Sequence, residues 1–195
     1  MAKINGIELK ALKKFKDHEG CTIAQGNLYL GGKKIGFWSQ DYMNGPDMFD
    51  LSTAYNEEKL NKKVEELNFD KRTEWKIGDT KTYIEYGLEE LLNDLITLKE
   101  EENFFKKQAK KIGHNPIVIV IQGIKGWTAL SLNAESYTKL SNEQILNLKE
   151  IKNSLDEMEE SVTYKEDKAE ILFFRSLNDF DIGKHIKLED VMRWF

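Results

Sequence analysis

The sequence predicts an α+β protein: an N-terminal antiparallel β-meander with one helix, followed by a helix–β-hairpin–helix–strand layer. Three observations predict this class. Apolar residues alternate with polar ones near the N-terminus, leucines recur every three or four residues in the middle of the chain, and residues 117–121 are all β-branched. These patterns indicate half-buried strands, a long amphipathic helix and a buried central strand, in that order.

The meander is predicted from residues 4–40, with a short further strand at residues 48–51. Gly31-Gly32 supplies the positive φ angles that a two-residue hairpin turn requires. The expected cross-strand pairs are Leu30–Lys33, Tyr29–Lys34, Leu28–Ile35 and Gly26–Phe37. This register places Leu28, Leu30, Ile35 and Phe37 on one face of the hairpin, and Gln25, Asn27, Tyr29, Lys34 and Trp38 on the other.

A first helix follows, for which Ser52, Thr53 or Asn56 can be the N-cap. Its buried stripe is Leu60, Val64 and Leu67. Residues 78–80 suggest a turn, and residues 83–86 fit either a strand or the beginning of the next helix. We therefore place a boundary between residues 1–75 and residues 80–195, although the two parts can also pack as one compact domain.

The second half begins with a helix over residues 88–112, which Gly113 should end. We then expect the central strand at 117–121, a return strand at 127–132, and a helix that Ser141 opens with a capping box and that continues to about residue 160. A strand at 169–174, a loop at 178–183 and a short terminal helix at 188–195 complete the chain.

Composition limits the functional classes. The 195 residues carry a net charge of −5, one cysteine and no apolar run of membrane-spanning length, so we expect a cytoplasmic protein without a disulfide or membrane partner. The charge is unevenly distributed. Residues 1–40 carry seven lysines and three acids, whereas residues 150–170 carry three lysines and eight acids. Such asymmetry bears on partners rather than on fold.

Short motifs offer little chemistry. The sequence contains no P-loop, dinucleotide fingerprint, nucleophile elbow or zinc-protease motif. Cys21 lies three residues after His18, but a single strand cysteine is more often a small buried apolar residue than a nucleophile. Residues 178–183 resemble the beginning of a calcium loop whose twelfth position would be Asp190; the ligand set is poor, and a turn is expected instead.

Four residues imitate the Asp…Glu-x-Lys pattern of metal-dependent nucleases: Asp47, Asp50, Glu57 and Lys59. In such sites acidic side chains hold Mg²⁺ or Mn²⁺ and the lysine steadies the attacking water. The alternative is that the glutamates at residues 57–58 simply face the positive end of a helix dipole.

Two surfaces are candidates for binding. Tyr29, Lys34 and Trp38 could stack bases and contact a phosphate backbone, or could instead be ordinary packed strand residues. The acidic set Asp156, Glu157, Glu159 and Glu160 could occupy a basic nucleic-acid groove on another protein, or could instead be a solvated helix face.

Residues 5–20, residues 26–41 and the Gly45-Pro46-Asp47 turn resemble small accessory proteins of phages and plasmids of Gram-positive bacteria, some of which are anti-CRISPR inhibitors of Cas9 systems. The resemblance implies an accessory protein of a mobile genetic element. The lack of a convergent catalytic motif and the split charge favour a protein that binds and inhibits a host protein or ribonucleoprotein complex, through the acidic late helix or the hairpin edge and without a cofactor. Two alternatives remain open: a small metal-dependent nuclease that uses the carboxylate set above, and a plain nucleic-acid-binding protein.

Overall fold

A computed structural model describes residues 1–16, 18–41, 45–66, 73–77, 80–84, 86–123, 125–164 and 169–182, with side chains described outside residues 67–85. These residues form an α+β protein, which confirms the predicted class. The chain divides into two compact units, Ala2–Leu98 and Lys99–Phe195 together with Met1. This division lies within the long helix, whereas the sequence indicated a boundary at residues 75–80. Each unit is described by itself.

The N-terminal unit contains the predicted meander. Its strands are β1 (Lys3–Ile4), β2 (Ile7–Lys16), β3 (Thr22–Leu30), β4 (Lys33–Ser39) and β5 (Met48–Leu51), and each pairs antiparallel with the next. The short strand expected at residues 48–51 is therefore present. Gly31 and Gly32 have φ angles of 58° and 83°, as the two-residue turn requires.

A β-bulge in β4 corrects the predicted register. The pairs Leu30–Lys33 and Tyr29–Lys34 form as expected, but Leu28 then pairs with Gly36 and Gly26 with Trp38, which leaves Ile35 as the extra residue. Because one inserted residue exchanges the two faces of a strand, Trp38 is fully buried and Phe37 is 36% exposed. The predicted positions of Phe37 on the core face and Trp38 on the opposite face were wrong.

Helices close the core of this unit. Asn56 is the N-cap of α1 (Glu57–Glu65), since its side chain accepts a hydrogen bond from the Lys59 amide at 3.0 Å. A hairpin of β6 (Thr73–Ile77) and β7 (Thr80–Ile84) follows, so residues 83 and 84 belong to a strand. The helix α2 (Leu88–Ile112) begins in this unit. The fully buried side chains include Ile7, Leu9, Leu28, Ile35 and Trp38 from the sheet, and Leu60, Leu91, Leu92 and Leu95 from the helices. The expected stripe residue Leu67 lies outside the described residues.

The C-terminal unit has a three-stranded antiparallel sheet in the order β10-β8-β9. These strands are β8 (Ile117–Gly123), β9 (Gly126–Leu132) and β10 (Glu170–Phe174). Residues 117–121 of β8 are all buried, which confirms the predicted central strand. One side of the sheet packs on a helical layer through Ile119, Ile121, Ile151 and Leu155. The remaining helices are α3 (Glu135–Thr138), α4 (Asn142–Leu146) and α5 (Lys149–Val162).

The helix predicted from Ser141 to about residue 160 is in fact two helices. Ser141 forms the expected capping box with Gln144, but α4 ends at Leu146 and α5 begins at Lys149. Leu148 between them has an extended backbone, and the break allows Ile145 and Ile151 to enter the same core. α3 was not predicted, because its four residues are too few to show a helical period.

The predicted loop at residues 178–183 contains a short 3₁₀ helix, Leu177–Phe180, and a two-residue strand β11, Asp181–Ile182. The Asp179 carboxylate accepts hydrogen bonds from the Ser176 amide at 2.8 Å and hydroxyl at 2.9 Å, so it closes this turn. The rest of the compared calcium loop and the helix expected at 188–195 lie outside the described residues. No helix in the described part of the chain is long and apolar enough to cross a membrane.

Candidate binding surfaces

The solvent-facing side of the N-terminal sheet, which we call the outer face, carries side chains from three strands. Directly opposed residues of antiparallel strands share a face. The pairs Lys13–Gln25, Lys10–Asn27, Asn27–Phe37 and Tyr29–Lys34 therefore lie together, and the pair Phe15–Ile23 extends the same face. Phe15 is 43% exposed, and Lys13 and Lys34 are exposed. The outer face thus combines aromatic rings, amides and lysines.

This surface carries a small excess of positive charge although the whole chain is acidic. On β2 to β5 it has three lysines, Lys10, Lys13 and Lys34, and two acids, Glu8 and Asp50, which is a local net charge of +1 in a chain of −5. Glu8 is only 3% exposed and forms ion pairs with Lys3 at 3.7 Å and Lys10 at 3.5 Å. The Lys10 ammonium also lies 4.1 Å from the centre of the Tyr29 ring. Lys10 and Tyr29 are therefore already engaged with each other, whereas Lys13 and Lys34 form no ion pair with another described residue.

Trp38 does not belong to the outer face. Its indole N–H donates a hydrogen bond of 2.7 Å to the Asp47 carboxylate from the buried side of the sheet. Burial raises the pKa of Asp47, and the neighbouring carboxylates of Glu89, Glu90 and Asp41 raise it further, while the hydrogen bond from Trp38 acts in the opposite direction. Of the predicted set, the structure brings together Tyr29 and Lys34 and separates Trp38 from them.

The carboxylates of the nuclease pattern have separate local roles. Asp47 holds the Trp38 indole, and Asp50 is exposed on the outer face opposite Phe37. Glu57 begins α1, and the Lys59 ammonium donates to the Ala54 carbonyl at 3.0 Å. Within the described ranges, no three Asp, Glu, His or Cys side chains converge where they could hold a metal ion. The structure therefore does not assemble the predicted Mg²⁺ or Mn²⁺ site from these residues.

The acidic set Asp156, Glu157, Glu159 and Glu160 occupies the last turns of α5, and we call it the acidic end of α5. Asp156, Glu157 and Glu160 are exposed, and the half-buried Glu159 accepts a hydrogen bond from the Ala169 amide at 3.5 Å. No basic residue lies in the last turn of this helix. The four carboxylates therefore add to the partial negative charge of the helix C-terminus.

Contacts on the opposite side of α5 hold the helix despite this charge. Ile151, Leu155 and Val162 are buried in the core of the unit. The Lys125 ammonium donates a hydrogen bond to the Thr163 carbonyl just beyond the helix, where a positive charge is favourable. The stability of α5 thus comes from its inner side, and its acidic end is left to solvent.

Two further features differ from the sequence-based interpretation. Cys21 was expected to be a small buried apolar residue, but its side chain is exposed. A depression of about 460 Å³ is lined by six polar residues: His114, Asn115, Glu135, Ser136, Thr138 and Lys139. Sequence reasoning missed this depression because α3 was not predicted, although the β8–β9 hairpin already indicated that residues 114 and 133 come close together. The His114 ring lies 3.1 Å from the Asn133 carbonyl.

Comparisons of the chain with protein-family models, with curated protein sequences and with solved structures found no match. The two charged surfaces are therefore interpreted from their own chemistry.

Proposed function

We propose that this chain is a non-enzymatic accessory protein of a mobile genetic element that binds and inhibits a host defence complex. The acidic end of α5 would occupy a basic groove in which the host complex otherwise holds nucleic acid. The observation that carries this proposal is the concentration of four carboxylates on the C-terminal turns of one helix, with three of them exposed. The proposed activity requires no cofactor.

The position of these carboxylates is unfavourable for the helix itself. Acidic side chains destabilise a helix C-terminus, and like charges three or four residues apart repel each other. Glu160 stands in this relation to both Asp156 and Glu157. A solvated helix face optimised for stability would carry lysines here, so the acidic sequence is better explained by a binding role that uses the charge.

The nuclease alternative has weaker support. Of its four residues, Asp47 is partly buried against an indole and Lys59 donates to the Ala54 carbonyl, while Asp50 lies on β5 and Glu57 begins α1. A hydrolytic metal site needs carboxylates that converge on one ion. The binding function therefore has better support, because it does not require these carboxylates to converge on one ion.

The test is a binding measurement against a purified RNA-guided nuclease complex from a CRISPR-bearing Gram-positive host, with the complex immobilised and the protein titrated by biolayer interferometry. We expect Glu157→Lys/Glu160→Lys to weaken binding at least tenfold, because it reverses two exposed charges of the acidic end. The matched control, Glu143→Lys/Glu150→Lys, makes the same net-charge change at exposed acids outside that end. Equal loss in both variants, or no binding by the unchanged chain, would contradict the proposal.

A further inference from the structure

We infer that the outer face of the N-terminal sheet is a binding site for single-stranded nucleic acid. This site is separate from the acidic end of α5 and does not depend on the function proposed above. Proteins that bind single strands combine exposed aromatic rings, on which bases stack, with cations that contact the phosphate backbone. The outer face supplies both components within three adjacent strands.

The aromatic component consists of Phe15 and Phe37. Both are large apolar side chains exposed on the same face, opposite Ile23 and Asn27 of β3. Ile23 and Asn27 are four residues apart, so the two rings are separated by about 13 Å along the strand direction. The amide side chain of Gln25 lies between these positions and can hydrogen-bond a base edge. Tyr29 is not counted as a stacking ring, because Lys10 covers it.

The cationic component consists of Lys13 and Lys34. Lys13 is opposite Gln25, next to the position of Phe15, and Lys34 is opposite Tyr29 at the other end of the face. Along the strand direction Lys13 therefore lies between Phe15 and Phe37, and Lys34 lies beyond Phe37, so the two lysines can contact phosphates beside the rings. Asp50, opposite Phe37, is the exposed acid of this face and marks its side toward β5. Glu8 is neutralised by its two lysine partners.

Protection of a sheet edge does not explain this arrangement. Lysines on an edge strand commonly prevent unwanted strand pairing, and that reason could apply to β2. Asn27, Lys34 and Phe37, however, lie on β3 and β4, each of which pairs with a strand on both sides. An exposed phenylalanine on an interior strand gives no protection of this kind. A single strand is the better occupant than a duplex, because only unpaired bases can leave their own stack for an aromatic ring.

The experiment is fluorescence anisotropy with labelled 15-nucleotide oligo(dT) and oligo(U), and with a duplex of the same length, at 50 and 200 mM NaCl. We expect Phe15→Ala/Phe37→Ala to weaken single-strand binding at least tenfold, since two stacking contacts are lost. Leu177→Ala, which truncates an exposed apolar side chain elsewhere, should leave the affinity unchanged.

Lys13→Ala/Lys34→Ala should weaken binding and reduce the slope of log affinity against log salt by about 0.7 per lysine. Lys62→Ala/Lys63→Ala is its control: it removes the same charge from α1, where both lysines are paired with glutamates. Absence of single-strand binding at 50 mM NaCl, tighter binding of the duplex, or equal effects of the two lysine pairs would overturn the inference. Glu157→Lys/Glu160→Lys should not weaken oligonucleotide binding, which separates this result from the test of α5.

Discussion

At the scale of single residues, the contact between Trp38 and Asp47 connects the buried side of the N-terminal sheet with the turn before β5. The indole is buried under the sheet and donates to a carboxylate in the turn before β5. The Asp47 amide in turn donates to the Glu89 carboxylate at 3.0 Å, so the turn is tied to both the sheet and α2. A residue that resembled a catalytic carboxylate in the sequence therefore has a structural role.

The raised pKa of Asp47 makes a pH-dependent prediction. The folded chain holds the Asp47 proton more tightly than the unfolded chain, in which the pKa of Asp47 is near 3.8. The stabilisation is therefore complete below pH 3.8 and is lost as the pH rises through the raised folded value. Asp47→Asn keeps an oxygen that can accept the Trp38 hydrogen bond but does not titrate. The difference in free energy of unfolding, variant minus wild type, should be more positive at pH 7 than at pH 3.5.

Urea unfolding at pH 3.5, 5 and 7 measures this difference. Asp50→Asn, which removes an exposed acid from the same segment, is the control for the general effect of losing a charge. If the difference for Asp47→Asn stays constant across the three pH values, the pKa of Asp47 is not raised in the folded chain, and the prediction is contradicted.

Gly36 is the second residue with a specific structural role. A Cβ atom at this position would lie 2.5 Å from the Asp50 carbonyl oxygen and 2.9 Å from the Leu51 Cα. Gly36→Ala should therefore force β4 and β5 apart and lower the free energy of unfolding by about 2 kcal/mol, as overpacking does. Ser39→Ala in the same strand should change it by less than about 0.5 kcal/mol. Chemical denaturation of both variants decides this, and equal stability of the two would contradict it.

The register error arose at this same glycine. The turn and its first two pairs follow from Gly31-Gly32, and these were predicted correctly. Alternation then fails because Ile35 is inserted next to Gly36, the residue that β5 approaches closely. A glycine inside a strand often indicates a β-bulge or the close approach of another backbone, and Gly36 is such a glycine. Taking it into account would have moved Trp38 off the predicted nucleic-acid surface.

At the scale of elements, long periodic segments were predictable and short or interrupted ones were not. α2 keeps a helical apolar period over 25 residues and β8 contains five consecutive β-branched residues, and both are where the sequence indicated. The break between α4 and α5 left no mark in the apolar period, because Ile145, Leu148 and Ile151 continue it. The acidic residues of α5 were identified from the sequence, but their location at the C-terminal turns required the observed end of the helix.

Charge reversal on α5 gives a prediction at this scale. Glu157→Lys/Glu160→Lys replaces two exposed carboxylates near the negative end of the helix dipole by ammonium groups. The free energy of unfolding should rise by about 0.5 to 2 kcal/mol, which is the usual range for two such changes. Thermal and urea unfolding at low salt measure it. Lower stability would mean that the carboxylates serve the fold, and would remove the argument that they are retained for binding.

At the scale of the whole molecule, the two candidate surfaces belong to two different compact units. The outer face of the N-terminal unit carries exposed aromatic rings and lysines, and the acidic end of α5 belongs to the C-terminal unit. A partner that presents both a nucleic acid and a basic protein groove, namely a ribonucleoprotein, would match both surfaces. The fold class and the charge asymmetry could both be predicted from the sequence. The residues that make up each surface could be identified only from the tertiary structure.

The most direct test of this account is target-DNA cleavage by an RNA-guided nuclease from a CRISPR-bearing Gram-positive host, measured at increasing concentrations of the purified protein. We expect cleavage to fall with the unchanged protein and with Glu143→Lys/Glu150→Lys, and to persist with Glu157→Lys/Glu160→Lys. Undiminished cleavage at saturating concentrations of the unchanged protein, or equal inhibition by all three proteins, would contradict the proposal that the acidic end of α5 inhibits a host defence complex.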